Sequence, residues 1–81
     1  MRAKVTVYPR REILDPQGKA ISDALQRLGF SQVSDVRAGK SFEIELTAAD
    51  VAAGEQAVRQ MCQKLLVNPV VEDFAVEMVV P

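Results

Sequence analysis

Histidine is absent from the 81 residues and cysteine occurs once, and these two scarcities remove most of the chemistry a small enzyme would use. Without imidazole there is no common general base, no favoured metal ligand and no His-assisted nucleophile. The single Cys62 cannot close an internal disulfide, which fits a reducing compartment. Its neighbours Met61 and Leu65 place it on an apolar helical face, so it reads as a buried, inert thiol, because reactive cysteines need an electropositive, partly exposed setting. No apolar run approaches the roughly 20 residues of a membrane span. The opening "MRAKVTVYP" alternates instead of forming a signal-peptide core, and the cytoplasm is expected. An excess of positive charge is missing too: ten Lys and Arg stand against eleven acids, for a net charge of -1, and phosphate binding needs a basic field. Nucleic acid is thereby disfavoured. Neither a Walker loop nor G-x-G-x-x-G is present, so the nucleotide-binding signatures are lacking as well.

What is present is a globular composition, 48% hydrophobic and 26% charged, in a chain with room for a single domain over residues 1–81. So short a domain buries only about 60–65% of its unfolded surface, and self-association is expected to supplement a thin core.

"AKVTVYP" alternates Ala3, Val5 and Val7 with Lys4, Thr6 and Tyr8, the two-residue period of a half-buried strand that Pro9 ends. After the charged connection "RREIL", Asp15 caps a helix and Pro16 fills its first position, where a missing N–H costs nothing. Ile21, Leu25 and Leu28 follow at helical spacing. "LGF" ends the helix, with Gly29 in the left-handed region and Phe30 folding back on Leu25. Gly18, in the first turn, is the anomaly, because glycine there lowers helix propensity by about 1 kcal/mol. Close approach of another backbone, that of a partner or a second copy, accounts for it.

"QVSDVR" (32–37) reads as a short, irregular strand, "AGK" as a tight turn, and "SFEIELT" as the second arm of a hairpin with Phe42, Ile44 and Leu46 on one face. "TAAD" offers Thr47 or Asp50 as the cap of a second helix. That helix is expected to reach about Val67, with Val51, Gly54, Val58, Met61 and Leu65 as its recurring positions, until Asn68-Pro69 breaks it. The last strand, "VVEDFAVEMVV", sets Phe74, Val76, Met78 and Val80 opposite Asp73 and Glu77. The order is βαββαβ, an α+β two-layer sandwich: an antiparallel four-stranded sheet with two helices on one face, dimerising through the sheet. Ile21, Leu25, Leu28, Val58, Met61 and Leu65 are assigned to the core.

No metal or catalytic constellation emerges. Glu72 and Asp73 are adjacent on a strand, so they point to opposite faces and form no dyad. "RAGK" (37–40) combines Arg37, Gly39 and Lys40 as either an anion-holding loop or a solvated turn. "KLLVNPVVEDF" (64–74) joins a helix end, a restricted X-Pro bond and several apolar residues at one corner, either a plain helix stop or a contact surface. Candidate partner contacts are Asp15, Gly18, Arg37, Gly39, Lys40, Asn68, Pro69 and Glu72.

"ILDPQGKAI", "ALQRLGF", "VRAGKSFEIEL", "MCQKLLVNPVVEDF" and the terminal strand, in this order over nearly the whole chain, resemble the PurS family, the small subunit of phosphoribosylformylglycinamidine synthase. The resemblance implies a non-catalytic subunit of purine biosynthesis that forms a dimer and bridges two partners. One is a glutaminase subunit, PurQ, that releases ammonia from glutamine. The other is a synthetase subunit, PurL, that uses ATP and magnesium to convert formylglycinamide ribonucleotide to its amidine. It implies no cofactor on this chain, no catalytic residue, and a share in forming the ammonia route. Two other readings stand beside it: a βαββαβ module sensing a free amino acid at a dimer interface, and a stand-alone enzyme. Stabilisation of the isolated chain by an amino acid marks the first, turnover by it the second. Against the sensor, the stretch after the first strand, "PRREILDPQG", is long and charged where a glycine-bearing turn is usual.

Overall fold

The first strand, β1 (Arg2–Pro9), forms where the alternation places it, with Ala3, Val5 and Val7 buried and Arg2, Lys4, Thr6 and Tyr8 turned outward. A computed structural model describes residues 1–79 of the chain. Helix α1 (Pro16–Arg27) follows, then β2 (Lys40–Glu45), α2 (Val51–Met61) continuing into a π-helical turn over Cys62–Leu66, and β3 (Glu72–Val79). The sheet has three strands in the order β2-β1-β3, all antiparallel. β1, buried on one face and bonded along both edges, is its centre. The inner-face position expected for Val80 lies outside the described residues.

Both helix starts follow their caps. The Asp15 carboxylate accepts from the Gly18 N–H at 3.0 Å, and Asp50, not Thr47, caps α2 by accepting from Ala53 N–H at 2.8 Å. At the end of α1, Gly29 has φ 101°, Phe30 N–H donates to Leu25 O and Gly29 N–H to Gln26 O, the paired bonds of a Schellman ending.

Two expectations are corrected. Residues 32–37 form no strand, so there is no hairpin with β2, and the sheet within the chain has three strands instead of four. The physical reason is in the spacing: Val33 and Val36 lie three apart, a helical interval that cannot place both on one face of a strand. The segment instead returns along α1, where Gln26 Nε2 donates to Val33 O at 2.9 Å and Asp15 accepts from Ala38 N–H at 2.8 Å.

The second correction concerns the helices, which do not lie side by side on the sheet. α2 packs against β3, with the Arg59 guanidinium 6.0 Å from the centre of the Phe74 ring, whereas α1 and its return segment project beyond the sheet as an arm. The molecule measures 50 × 29 × 14 Å with a radius of gyration of 16.0 Å, against about 12 Å for a compact chain of this length. Ile21 and Leu28 of the arm are accordingly exposed, Leu28 at 73%, and Leu25 is half-buried.

The remaining core is small: Ala3, Val5, Val7, Val58, Cys62 and Val67, flanked by Phe42, Ile44, Leu46, Leu66, Phe74, Val76 and Met78. Cys62 is buried as expected, and loss of hydration pushes its thiol pKa up. Leu65 is 83% exposed and Met61 is also exposed. The π turn explains Leu65, because Val67 N–H donates back five residues to Cys62 O and the wider turn delays the inward positions to Leu66 and Val67, while Met61, which precedes the turn, lies to one side of the Val58–Cys62 face. On the opposite, open face of the sheet, Lys4 sits between Glu43 and Glu77.

Candidate functional site

The eight candidate contact residues lie far apart in sequence, and the fold gathers them at one end of the sheet, where β1 ends and β2 and β3 begin. Two layers can be distinguished there. The inner layer is a clasp that joins the arm to the sheet, and its central group is Asp15. One carboxylate oxygen caps α1 at Gly18 N–H while the other accepts from Ala38 N–H, so a single side chain ties the helix start to the return segment. These backbone donors, led by Gly18 and then Ala38, hold the Asp15 carboxyl below the ordinary carboxylate range.

A depressed folded-state pKa stabilises the folded state above the unfolded value, near pH 4, and the contribution is lost as pH falls through the folded value. Asp15→Asn therefore lowers thermal stability at pH 7 and flattens the loss seen as pH falls below about 4. Circular dichroism melts of both proteins across that range test it; parallel pH profiles would contradict the clasp.

Gly18 belongs to the same layer. A Cβ there would collide with the Val36 carbonyl oxygen and lie 2.5 Å from the Asp15 carboxylate. The close backbone approach anticipated for this glycine thus occurs within the chain, against the return segment. Arg37 completes the clasp: its Nη2 donates to the carbonyls of Pro9, Arg10 and Ile13, gathering the β1–α1 connection around one guanidinium.

The outer layer is solvent-facing. Lys40 Nζ lies 3.8 Å from Glu72 Oε2, and Glu72 Oε1 accepts from Asn68 N–H at 2.8 Å. Asn68 Oδ1 accepts from Val70 N–H at 3.1 Å, which shapes the corner around Pro69. Gly39, Lys40, Asn68 and Pro69 are exposed, while Arg37 and Glu72 are partly so. Gly39 needs its lack of a side chain, since a Cβ would strike the Val7 carbonyl. A shallow hollow of about 210 Å³ between Gln17, Gly39, Lys40 and Glu72 separates the two layers.

Sequence reasoning missed Arg10. Its Nη2 donates to Pro69 O at 2.6 Å, its Nε lies 3.5 Å from Asp73 Oδ1, and its backbone N–H donates to Val71 O at 2.9 Å. It pins the 68–73 corner to the end of β1. The signal was the charged pair Arg10-Arg11 just beyond Pro9, read only as connection. Among the described residues no three His, Cys, Asp or Glu side chains are placed to hold a metal ion, and no helix is long and apolar enough to cross a membrane. The arrangement presents hydrogen-bonding and charged groups at the surface, among them the Lys40–Glu72 and Arg10–Asp73 pairs.

Comparison with known proteins identifies relatives over essentially the same length. A PurS subunit of phosphoribosylformylglycinamidine synthase from Mycobacterium leprae is 47% identical over 75 residues, covering 93% of this chain and 91% of that protein. The corresponding Bacillus subtilis subunit is 40% identical, with 94% and 89% covered. Among solved structures, the PurLQS complex from Thermotoga maritima contains a chain that superposes with a TM-score of 0.89 at 32% identity, covering 96% of this chain and 95% of that one. Methanocaldococcus jannaschii PurS, described as one of the subunits of formylglycinamide ribonucleotide amidotransferase in the purine biosynthetic pathway, gives 0.83 at 33% identity, with 94% and 92% covered. The family model for PurS, phosphoribosylformylglycinamidine (FGAM) synthase, matches residues 2–80. Spanned almost end to end by that model, and carrying its outward-facing polar corner on a matching fold, the chain belongs to the PurS family and is a subunit of phosphoribosylformylglycinamidine synthase, an enzyme of purine biosynthesis.

Proposed function

We propose that this chain is the non-catalytic bridging subunit of the synthase, holding a PurQ-type glutaminase and a PurL-type synthetase in register while ammonia passes between them. The observation that carries the reading is the near-complete likeness to a chain of the Thermotoga maritima PurLQS complex. The site supports it, since one end of the sheet offers exposed Gly39, Lys40, Asn68 and Pro69 with half-buried Glu72 as contact positions, backed by the Asp15, Gly18 and Arg37 clasp. ATP, magnesium and glutamine are used by the partner subunits, in the cytoplasm. Ammonia must reach the synthetase unprotonated and without escaping to water, and a seal of this kind needs roughly 1,000 Å² or more at each specific contact. The chain also self-associates through its sheet, whose edges β2 and β3 are unpaired within one copy.

Reconstitution tests the bridge. With this chain present, the glutaminase and synthetase co-elute and glutamine drives amidation of formylglycinamide ribonucleotide. Without it, glutamine-driven turnover falls at least about tenfold while turnover driven by added ammonium persists, because only the transfer between sites is lost. Equal glutamine-driven rates with and without the chain, or turnover by the chain alone, would sink the proposal.

A further inference from the structure

The junction between the arm and the sheet keeps two donors unsatisfied. Among the described residues the buried side-chain nitrogens without a hydrogen-bond partner are Arg10 Nε and Arg37 Nε, and the two residues are bonded to each other, since Arg37 Nη2 donates to the Arg10 carbonyl. A buried donor left unpaired is destabilising, so two at one place call for a reason beyond packing.

Arg10 stands between the clasp and the corner. Toward the arm, its carbonyl shares the Arg37 guanidinium with the carbonyls of Pro9 and Ile13. Toward the corner, its N–H donates to Val71 O, its Nη2 donates to Pro69 O at 2.6 Å, and its Nε faces Asp73 Oδ1 at 3.5 Å. Both backbone groups and the side chain are thus engaged, and they join the β1–α1 connection, the return segment and the corner at one residue. A second link is weaker. Lys40 and Glu72 lie 3.8 Å apart with the Lys40 side chain 54% exposed, where water competes for the charge.

We propose that Arg10 is a positioning residue for the glutamine-driven reaction: it sets the angle between the arm and the 68–73 corner, and through that angle the tightness of the seal around ammonia. The inference rests on the bridging role proposed above and names the residue that keeps the bridge in register. The lever is long enough to matter. The 12 residues of α1 span about 18 Å, so a tilt of about 10° at the junction moves the far end by about 3 Å, the width of a water molecule. A gap of that size lets ammonia escape and take up a proton, while the partners stay bound and the chemistry of the synthetase is untouched.

The test places variants of the full chain in the reconstituted complex with the glutaminase and the synthetase. Glutamine hydrolysed per amidine formed, the glutamine-driven kcat and KM, and the ammonium-driven rate are read for each. Arg10→Ala is expected to co-elute with both partners, to raise the glutamine consumed per amidine at least about threefold, and to lower the glutamine-driven kcat by a similar factor with KM for glutamine and the ammonium-driven rate unchanged. Arg10→Lys, which keeps a charged donor for Pro69, falls between Arg10→Ala and wild type. Arg11→Ala, which removes the neighbouring exposed charge, matches wild type. Where circular dichroism shows that Arg10→Ala does not fold, Arg10→Gln takes its place under the same criteria. A wild-type ratio of glutamine to amidine, or equal falls in the glutamine-driven and ammonium-driven rates, would overturn the positioning role alone. Loss of co-elution would do so too, since it would make Arg10 a partner contact. Equal glutamine-driven rates with and without the wild-type chain would instead overturn the bridging role beneath it.

Discussion

Val58→Asp strips the fold of a large part of its stability, at least about 3–5 kcal/mol, whereas Leu65→Asp, one helical repeat further on, changes stability by less than about 0.5 kcal/mol. Val58 is fully buried on α2 among Val5, Val7 and Cys62, so a carboxylate there meets no water and no partner. An unpaired buried charge costs about 3–5 kcal/mol, and an 81-residue domain has only about 4–12 kcal/mol in total. Leu65 is 83% exposed beyond the π turn, and aspartate there stays hydrated. Urea unfolding of the two variants separates the cases. A comparable loss at both positions would mean that α2 runs on as a plain α-helix with Leu65 inward.

Arg37→Ala is the second large effect, and it falls on the arm without unfolding the sheet. The guanidinium satisfies three carbonyls of the β1–α1 connection, and a hydrogen bond to a charged group contributes about 1.5–3 kcal/mol. Partial exposure lets water replace some of this, so a net loss of about 2 kcal/mol is expected. Its location is the sharper expectation. Amide hydrogen exchange accelerates across α1 and residues 31–38, while β1, β2 and β3 keep their protection. Arg37→Lys is expected to fall between wild type and Arg37→Ala, since all three contacts come from Nη2 and an ammonium also presents its donors from one nitrogen. Uniform loss of protection throughout the chain would show that the arm and sheet form one cooperative unit.

The contrast between Val58 and Leu65 also marks where sequence reasoning stops. Strand β1, the Asp15 cap, the Schellman ending and the break at Asn68-Pro69 were legible because each depends on local chemistry: alternation, a carboxylate near free N–H groups, a glycine at positive φ, a proline; the cap of α2 was narrowed only to Thr47 or Asp50. Leu65 was misplaced because one π turn, which no residue type announces, shifts every later position around the helix. The fourth strand failed for a related reason, since residues 32–37 carry two valines at an interval suited to neither face of a sheet. The position of α1 was the least legible feature. Its apolar stripe predicts that something covers it, but periodicity is silent on whether the cover comes from the same chain. At the site, the eight candidates were named from turn and cap chemistry. That they converge on one end of the sheet follows from the β2-β1-β3 order, which a sequence without visible pairing cannot supply.

The place of β1 in that order governs how the polypeptide is made. Of the three strands, the earliest in the chain is the one bonded on both sides, and its residue Arg2 lies opposite Val79 as well as Glu45. Early contacts are therefore scarce and distant ones dominate, a topology that delays the folding transition. While the ribosome is still elongating, β1 has at most one neighbour and its apolar row waits uncovered, open to chaperones or to misassociation. Only when β3 emerges does β1 become the middle of the sheet, so a product that ends before β3 lacks one of the two ladders that enclose it.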